Sequence, residues 1–287
     1  MNFPLSFHKV QFSYNNQSIF RNLSLDIKSN QFISIIGING SGKSTFLKLA
    51  MGLLRSNSGE IQLFGNNPSH FSNKNKIGST LQDIDFPPGI QVIEVLKFVS
   101  KQYQRPNDIE KLIEDFELST FTNKFCSSLS GGMRRRLALA CAFLGNPQVI
   151  FLDEPATGLD SSSRKKLLQN LRTYKEETGA LILMINHHPQ EVVSFVDQFF
   201  HIKGGLVEQI SPEIIKKRTL YRKIQFICEA PLPKLKDVCS IKNNGTNYQI
   251  ISSAGDKTLR ELMEHKVPFQ QLQMHPLSGE EFLQEAF

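Results

Sequence analysis

The sequence predicts an α/β protein: a mostly parallel sheet with helices, an antiparallel β subdomain at its start, a helical insertion, and a small α+β domain after it. Three observations predict this. A short, mostly apolar run at 32–36 suits a strand covered on both faces, and further strands at 148–152 and 180–185 alternate with segments of helical period. Residues 5–12 and 18–27 instead alternate apolar and polar positions, as half-buried antiparallel strands do. Around 211–218 the chain becomes proline- and lysine-containing and the pattern restarts, which places a domain boundary at about 215.

The elements follow in order. After the strand at 32–36 a glycine-bearing loop leads into a helix from Thr45 to Leu54, with Phe46, Leu49, Ala50 and Leu53 on one side. A strand-like stretch occupies 59–65. The insertion, about 88–144, carries candidate helices at 91–101, 107–116 and 131–144. The strand at 148–152, a helix at 161–176, the strand at 180–185, a helix at 189–195 and strands around 198–209 complete the first domain, residues 1–215. The second, 216–287, offers strands near 221–228, 247–251 and 268–274, with helices near 257–265 and 279–286.

Composition narrows the function classes. With 287 residues, 40% hydrophobic and 21% charged, the chain can bury a sizeable core and is not disordered. Its net charge of +6 is spread thinly, and the compact runs, Arg134-Arg135-Arg136 above all, read as solvated helix faces; nucleic acid is not an expected partner. Cys126, Cys141, Cys228 and Cys239 show no paired spacing and read as reduced thiols. The start of the chain has no long apolar stretch and no apolar run approaches the length of a membrane span, so the expected location is the cytoplasm.

The strongest motif is Gly37-Ile38-Asn39-Gly40-Ser41-Gly42-Lys43-Ser44-Thr45, between a strand and a helix. The glycines let backbone N–H groups approach phosphates, Lys43 reaches the β- and γ-phosphates of ATP, and Ser44 ligates Mg²⁺. The strand at 148–152 runs into Asp153 and Glu154. Beside the glycine loop, Asp153 can hold the Mg²⁺ shell and Glu154 can polarise an attacking water. Between the two lies Leu129-Ser130-Gly131-Gly132-Met133, where a serine and two glycines precede a helix. That turn can cradle a second phosphate; in isolation it would be a plain N-cap.

Taken together, Lys43, Asp153-Glu154 and the intervening Leu-Ser-Gly-Gly resemble the nucleotide-binding subunit of an ABC transporter, over residues 3 to about 210. The resemblance implies a P-loop ATPase whose Ser130, Gly131 and Gly132 close over ATP held by a second subunit. It also implies that Tyr14 stacks on adenine, that Gln82 contacts Mg²⁺ and the attacking water, that Asp160 crosses the dimer interface, and that His187 touches the γ-phosphate, with Glu191 four residues on. Asn186 and Met133 depart from the family's usual residues. The implied partners are a second ATP-binding subunit and a separately encoded membrane permease, which would hold the protein at the cytoplasmic face of the membrane. The spelling Ser-Gly-Gly-Met-Arg-Arg-Arg-Leu and the ending at 278–287 resemble the branch that drives type-2 exporters. An importer cassette would use the same site, and a soluble ATPase outside transport is the other alternative.

Overall fold

The computed structural model describes residues 3–15, 17–81, 85–277 and 281–283. They form two compact units: Met1–Asn186 with Ser194–Gln209, and His187–Val193 with Ile210–Phe287.

In the first unit, β1 (Leu5–Tyr14), β2 (Gln17–Ile27) and β4 (Ser58–Leu63) make an antiparallel sheet in the order β2-β1-β4. Its alternation buries Leu5, Phe7 and Val10 from β1 and Leu23 and Ile27 from β2. A second sheet of six strands runs in the order β5-β6-β7-β3-β8-β9. Its members are β3 (Gln31–Ile36), β5 (Ile77–Thr80), β6 (Val149–Asp153), β7 (Leu181–Ile185), β8 (Gln198–Lys203) and β9 (Leu206–Ile210). The pairs β5–β6, β6–β7, β3–β7 and β3–β8 are parallel. Every residue of β6 and β7 is buried, which is why β7 is an unbroken apolar run and β6 is apolar up to its final residue, Asp153.

The helices of this unit are α1 (Lys43–Ala50), α2 (Val92–Ser100), α3 (Ile109–Asp115), α4 (Gly131–Phe143) and α5 (Ser161–Thr178). Phe46 of α1 seats that helix in an aromatic cluster, stacked on Phe7 at 4.8 Å and edge-on to Phe20 and Phe200. Burying such a ring contributes about 2–3 kcal/mol, so α1 is fixed more by this contact than by its eight residues of helix. In the insertion, α2 opens on a capping box in which Gln91 N–H donates to Glu94 Oε2 at 2.8 Å.

Two details depart from the sequence pattern. The helix expected to reach Leu54 stops at Ala50, and Leu53 is 58% exposed. Gly52 breaks it: φ there is +73°, and a Cβ would lie 2.4 Å from the Ser69 nitrogen, so the chain turns away. Conversely, β5 lies where the pattern predicts no element. Four residues with one glycine give too little signal. Gly78 is required there because a Cβ would fall 2.1 Å from the Ala142 carbonyl of α4.

The second unit holds α6 (Pro189–Val192), α7 (Pro212–Arg218) and α8 (Gly255–Glu264). Its sheet comprises β10 (Arg222–Ile227), β11 (Val238–Asn244), β12 (Asn247–Ser252) and β13 (Gln270–Pro276), antiparallel in the order β11-β12-β10-β13. Ile224, Phe226, Cys228, Ile250 and Leu262 form its core. The stretch read as a boundary, 211–218, folds largely as α7, with Pro212 in the first turn and Lys216, Lys217 and Arg218 at the negative end of the helix. The helix expected at 189–195 shortens to four residues, β11 was not anticipated, and most of the segment 278–287 lies outside the described residues.

Candidate nucleotide site

The glycine loop leaves β3 and enters α1 without a side-chain cap. Gly42, the N-cap, sits at φ +105°, and no acidic residue occupies the first turn. The first N–H groups therefore keep their partial positive charge for an anion. A side chain at Gly42 would be strained: a Cβ would lie 2.7 Å from Ile19 Cγ2 and 3.3 Å from the Phe20 ring. At Gly37 a Cβ would meet the Ile202 carbonyl and Ser41 Oγ, each at 2.6 Å. Gly40, at φ +76°, faces open space, and Ser41 N–H donates to the Ile38 carbonyl at 3.2 Å to close the loop. Asn39 is at the loop's exposed rim, while Ser44 and Thr45 open α1 with Thr45 buried. Lys43 is itself buried, its Nζ donating to the Gly37 and Ile38 carbonyls at 2.9 and 3.0 Å.

Strand β6 brings Asp153 to this loop. Asp153 is 3% exposed, the Ser44 hydroxyl hydrogen-bonds its carboxylate, and Oδ1 has no hydrogen-bond partner among the described residues. Burial pushes the carboxyl up from the ordinary aspartate range; the Ser44 hydrogen bond, Lys48 and Arg135 pull against that, and Glu154 adds to it. A buried carboxylate oxygen without a donor is costly unless a cation occupies its free side. The next residue, Glu154, takes a left-handed backbone at φ +52°, uncommon for a residue with a Cβ. Its carboxylate accepts from Thr157 Oγ1 at 3.2 Å, and Thr157 N–H donates to its carbonyl at 3.2 Å.

The second turn behaves differently. Ser130 caps α4, its Oγ accepting from Met133 N–H at 3.3 Å. A Cβ on Gly131 would meet nothing within 4 Å, and one on Gly132 only the Gly158 carbonyl at 3.7 Å. Asp160 caps α5: its Oδ1 accepts from Ser162 and Ser163 N–H, both at 3.0 Å, and its Oδ2 from Ser163 Oγ at 2.7 Å. Those hydrogen bonds, Ser163 foremost, hold its carboxyl below the usual range.

Of the other expected residues, Tyr14 stands at the end of β1, 43% exposed and edge-on to Phe12 at 4.8 Å. Gln82 lies outside the described residues. His187 belongs to the second compact unit, so the geometry of the first does not include it; the chain reaches it through Asn186, whose N–H donates to the Ile35 carbonyl at 3.1 Å.

One sequence reading is corrected. The arginine run is not a solvated face. Arg134 donates to the Leu129 carbonyl at 3.2 Å, Arg135 to the Asp153 carbonyl at 3.1 Å, and Arg136 to Ser163 Oγ at 2.9 Å while pairing with Glu117 at 3.0 Å. The signal was available: three consecutive helical residues point about 100° apart, so they cannot share one face.

Residues 20–157 match the ABC transporter family. Over those residues the chain has the ABC transporter ATP-binding domain. It is similar to the spermidine/putrescine import ATP-binding protein PotA of Spiroplasma citri, 27% identical over 251 residues, which is 84% of this chain and 70% of that protein. The PotA of Mycoplasma mycoides subsp. mycoides is 29% identical over 218 residues, 74% of this chain and 62% of that protein. The cassette spans 61% to 70% of the length of such curated relatives. Among solved structures, a dimeric ATP-binding cassette in a post-hydrolysis state, bound to ADP and Pi, superposes with a TM-score of 0.64 at 25% identity, covering 72% of this chain and 98% of that one. An ATP-binding subunit of an ABC transporter gives 0.67 at 23% identity, with 74% of this chain covered and 92% of that one, and shares the fold. The fold is thus that of a P-loop ABC ATPase, and the loop from Gly37 to Thr45 belongs to an ATP-binding domain. Among the described residues no helix is long and apolar enough to cross a membrane.

Proposed function

We propose that this cassette hydrolyses ATP to power solute import through a separately encoded membrane permease, working as a pair with a second cassette. The observation that carries the ATPase chemistry is the meeting of an uncapped α1 with a buried carboxylate oxygen that lacks a donor. On binding, Lys43 exchanges the Gly37 and Ile38 carbonyls for the β- and γ-phosphates, and the N–H groups opening α1 take up phosphate charge. Ser44 and Asp153 Oδ1 would hold Mg²⁺, which when bound neutralises charge on the phosphate oxygens. Glu154 orients the attacking water and accepts its proton, and Tyr14 offers an exposed ring to adenine. Ser130, Gly131 and Gly132 cap the γ-phosphate held by the partner cassette, and Asp160 lies at that interface.

The direction of transport departs from the exporter expectation. That expectation rests on Ser-Gly-Gly-Met-Arg-Arg-Arg-Leu, whose arginines have structural duties within the fold that say nothing of direction, and on the ending at 278–287, most of which lies outside the described residues. The relatives named import proteins support import instead. The decisive experiment is mild-detergent capture of the permease with the cassette, followed by reconstitution into vesicles with the cassette facing the lumen. Solute accumulating inside on addition of internal Mg-ATP, and not with Glu154→Gln, is the expected result. Movement outward would restore the exporter reading, and a cassette that captures no membrane protein would favour an ATPase outside transport.

A further inference from the structure

Among the three arginines after the Gly131-Gly132 pair, Arg135 reaches furthest into the catalytic machinery. Its Nη1 donates to the main-chain carbonyl of Asp153 at 3.1 Å. That carbonyl belongs to the peptide joining Asp153 to Glu154, the peptide whose orientation sets the first backbone angle of Glu154. Glu154 holds φ +52°, a conformation that costs about 1 kcal/mol or more for a residue with a Cβ and persists only where neighbours enforce it. Gly132 lies three positions before Arg135, on the same face of α4. A Cβ there would stand 3.7 Å from the Gly158 carbonyl. Helix α4 therefore meets the loop after β6 at both ends: Arg135 at Asp153 and Gly132 at Gly158. Between those points Thr157 ties the loop back to Glu154 through both its N–H and its hydroxyl.

We infer that Arg135 is a positioning residue for Glu154: its guanidinium fixes the Asp153–Glu154 peptide and so aims the Glu154 carboxylate at the attacking water. The same contact makes α4, which carries the Ser130 turn at its N-terminus, and the Glu154 loop move together within one chain. Arg135 acts on Glu154 through the Asp153 main-chain carbonyl. The inference rests on the proposed role of Glu154 as the group that orients water.

The test is a double-mutant cycle on the full chain, read as Mg-ATP turnover and ATP affinity. Arg135→Met removes the donor while keeping an unbranched apolar stem. It is expected to lower kcat about tenfold with ATP affinity within about twofold, and Arg135→Lys, which retains one donor, should recover part of the loss. Combined with Glu154→Ala, the Arg135→Met change is expected to cost nothing further, because the group it aims is gone. Full multiplication of the two losses, or an Arg135→Met loss confined to ATP affinity, overturns the inference and leaves Arg135 a packing residue. Wild-type turnover in Glu154→Ala alone would overturn the proposed chemistry itself, a different failure visible in the single mutant. Thermal melting checks that each variant is folded. If Arg135→Met does not fold, the Lys variant carries the test: a partial kcat loss that disappears in the Glu154→Ala background supports the inference, and a loss that persists there opposes it.

Discussion

Two turns in the first unit each bring a serine and glycines to the start of a helix, and they treat that helix end in opposite ways. The loop before α1 is enclosed at its base: Gly42 is wedged against Ile19 and Phe20, Lys43 is buried, and no side chain caps the helix. The turn before α4 is open: Ser130 caps the helix with its own hydroxyl, and Gly131 faces nothing within 4 Å. An enclosed, uncapped helix end needs a ligand from solution to satisfy it. An exposed, capped one is satisfied alone and gains a phosphate only if another surface delivers it. The contrast shows that one residue vocabulary can build a binding site or the lid of someone else's.

The largest effect separating the two belongs to Lys43. Lys43→Ala is expected to weaken ATP binding about 100-fold, since several charge-assisted hydrogen bonds to phosphate are lost together. Calorimetric titration measures this, and retained affinity would mean that the enclosed loop is not the binding element. The glycines sharpen the contrast. Gly42→Ala should destabilise the fold by about 1–2 kcal/mol through its left-handed backbone alone, before the clash with Ile19. Gly131→Asp should leave the melting temperature and single-chain ATP affinity nearly unchanged while reducing turnover at least tenfold, because its carboxylate would face a partner's γ-phosphate. If Gly131→Asp instead abolished ATP binding by the isolated chain, the open turn would be part of its own site.

The smallest effect concerns Asp160, which caps a helix at the rim of the same region. Its folded-state carboxyl lies below the usual range, so its stabilising contribution is present above the ordinary aspartate pKa and is lost as pH falls through the lowered value. The difference in melting temperature between the wild type and Asp160→Ala should therefore narrow as pH falls below about 4. A difference that stayed constant with pH would show that the cap does not depend on the ionised carboxylate.

Some of this was legible residue by residue. The run from Gly37 to Thr45 identifies a phosphate loop because glycine, lysine and serine at that spacing answer to local backbone geometry. β6 and β7 were legible as covered strands because all of their residues face other parts of the protein. β5 escaped because its place depends on Gly78 meeting the Ala142 carbonyl, a contact between residues far apart in sequence. The arginine run was misread for a similar reason: charge in a row looks solvated until the fold supplies the carbonyls and the Glu117 carboxylate that it serves.

By itself, the sequence determined the alternation of strands and helices, the phosphate-binding loop and the paired acids after β6, since each depends on short-range periodicity or on a few adjacent residues. Only the tertiary structure decided that Asp153 is buried with one oxygen lacking a donor, that Glu154 sits in a left-handed turn, and that Arg135 holds the peptide between them. Burial, backbone angle and long-range hydrogen bonds are properties of neighbours brought together by folding, and no single stretch of the chain contains them.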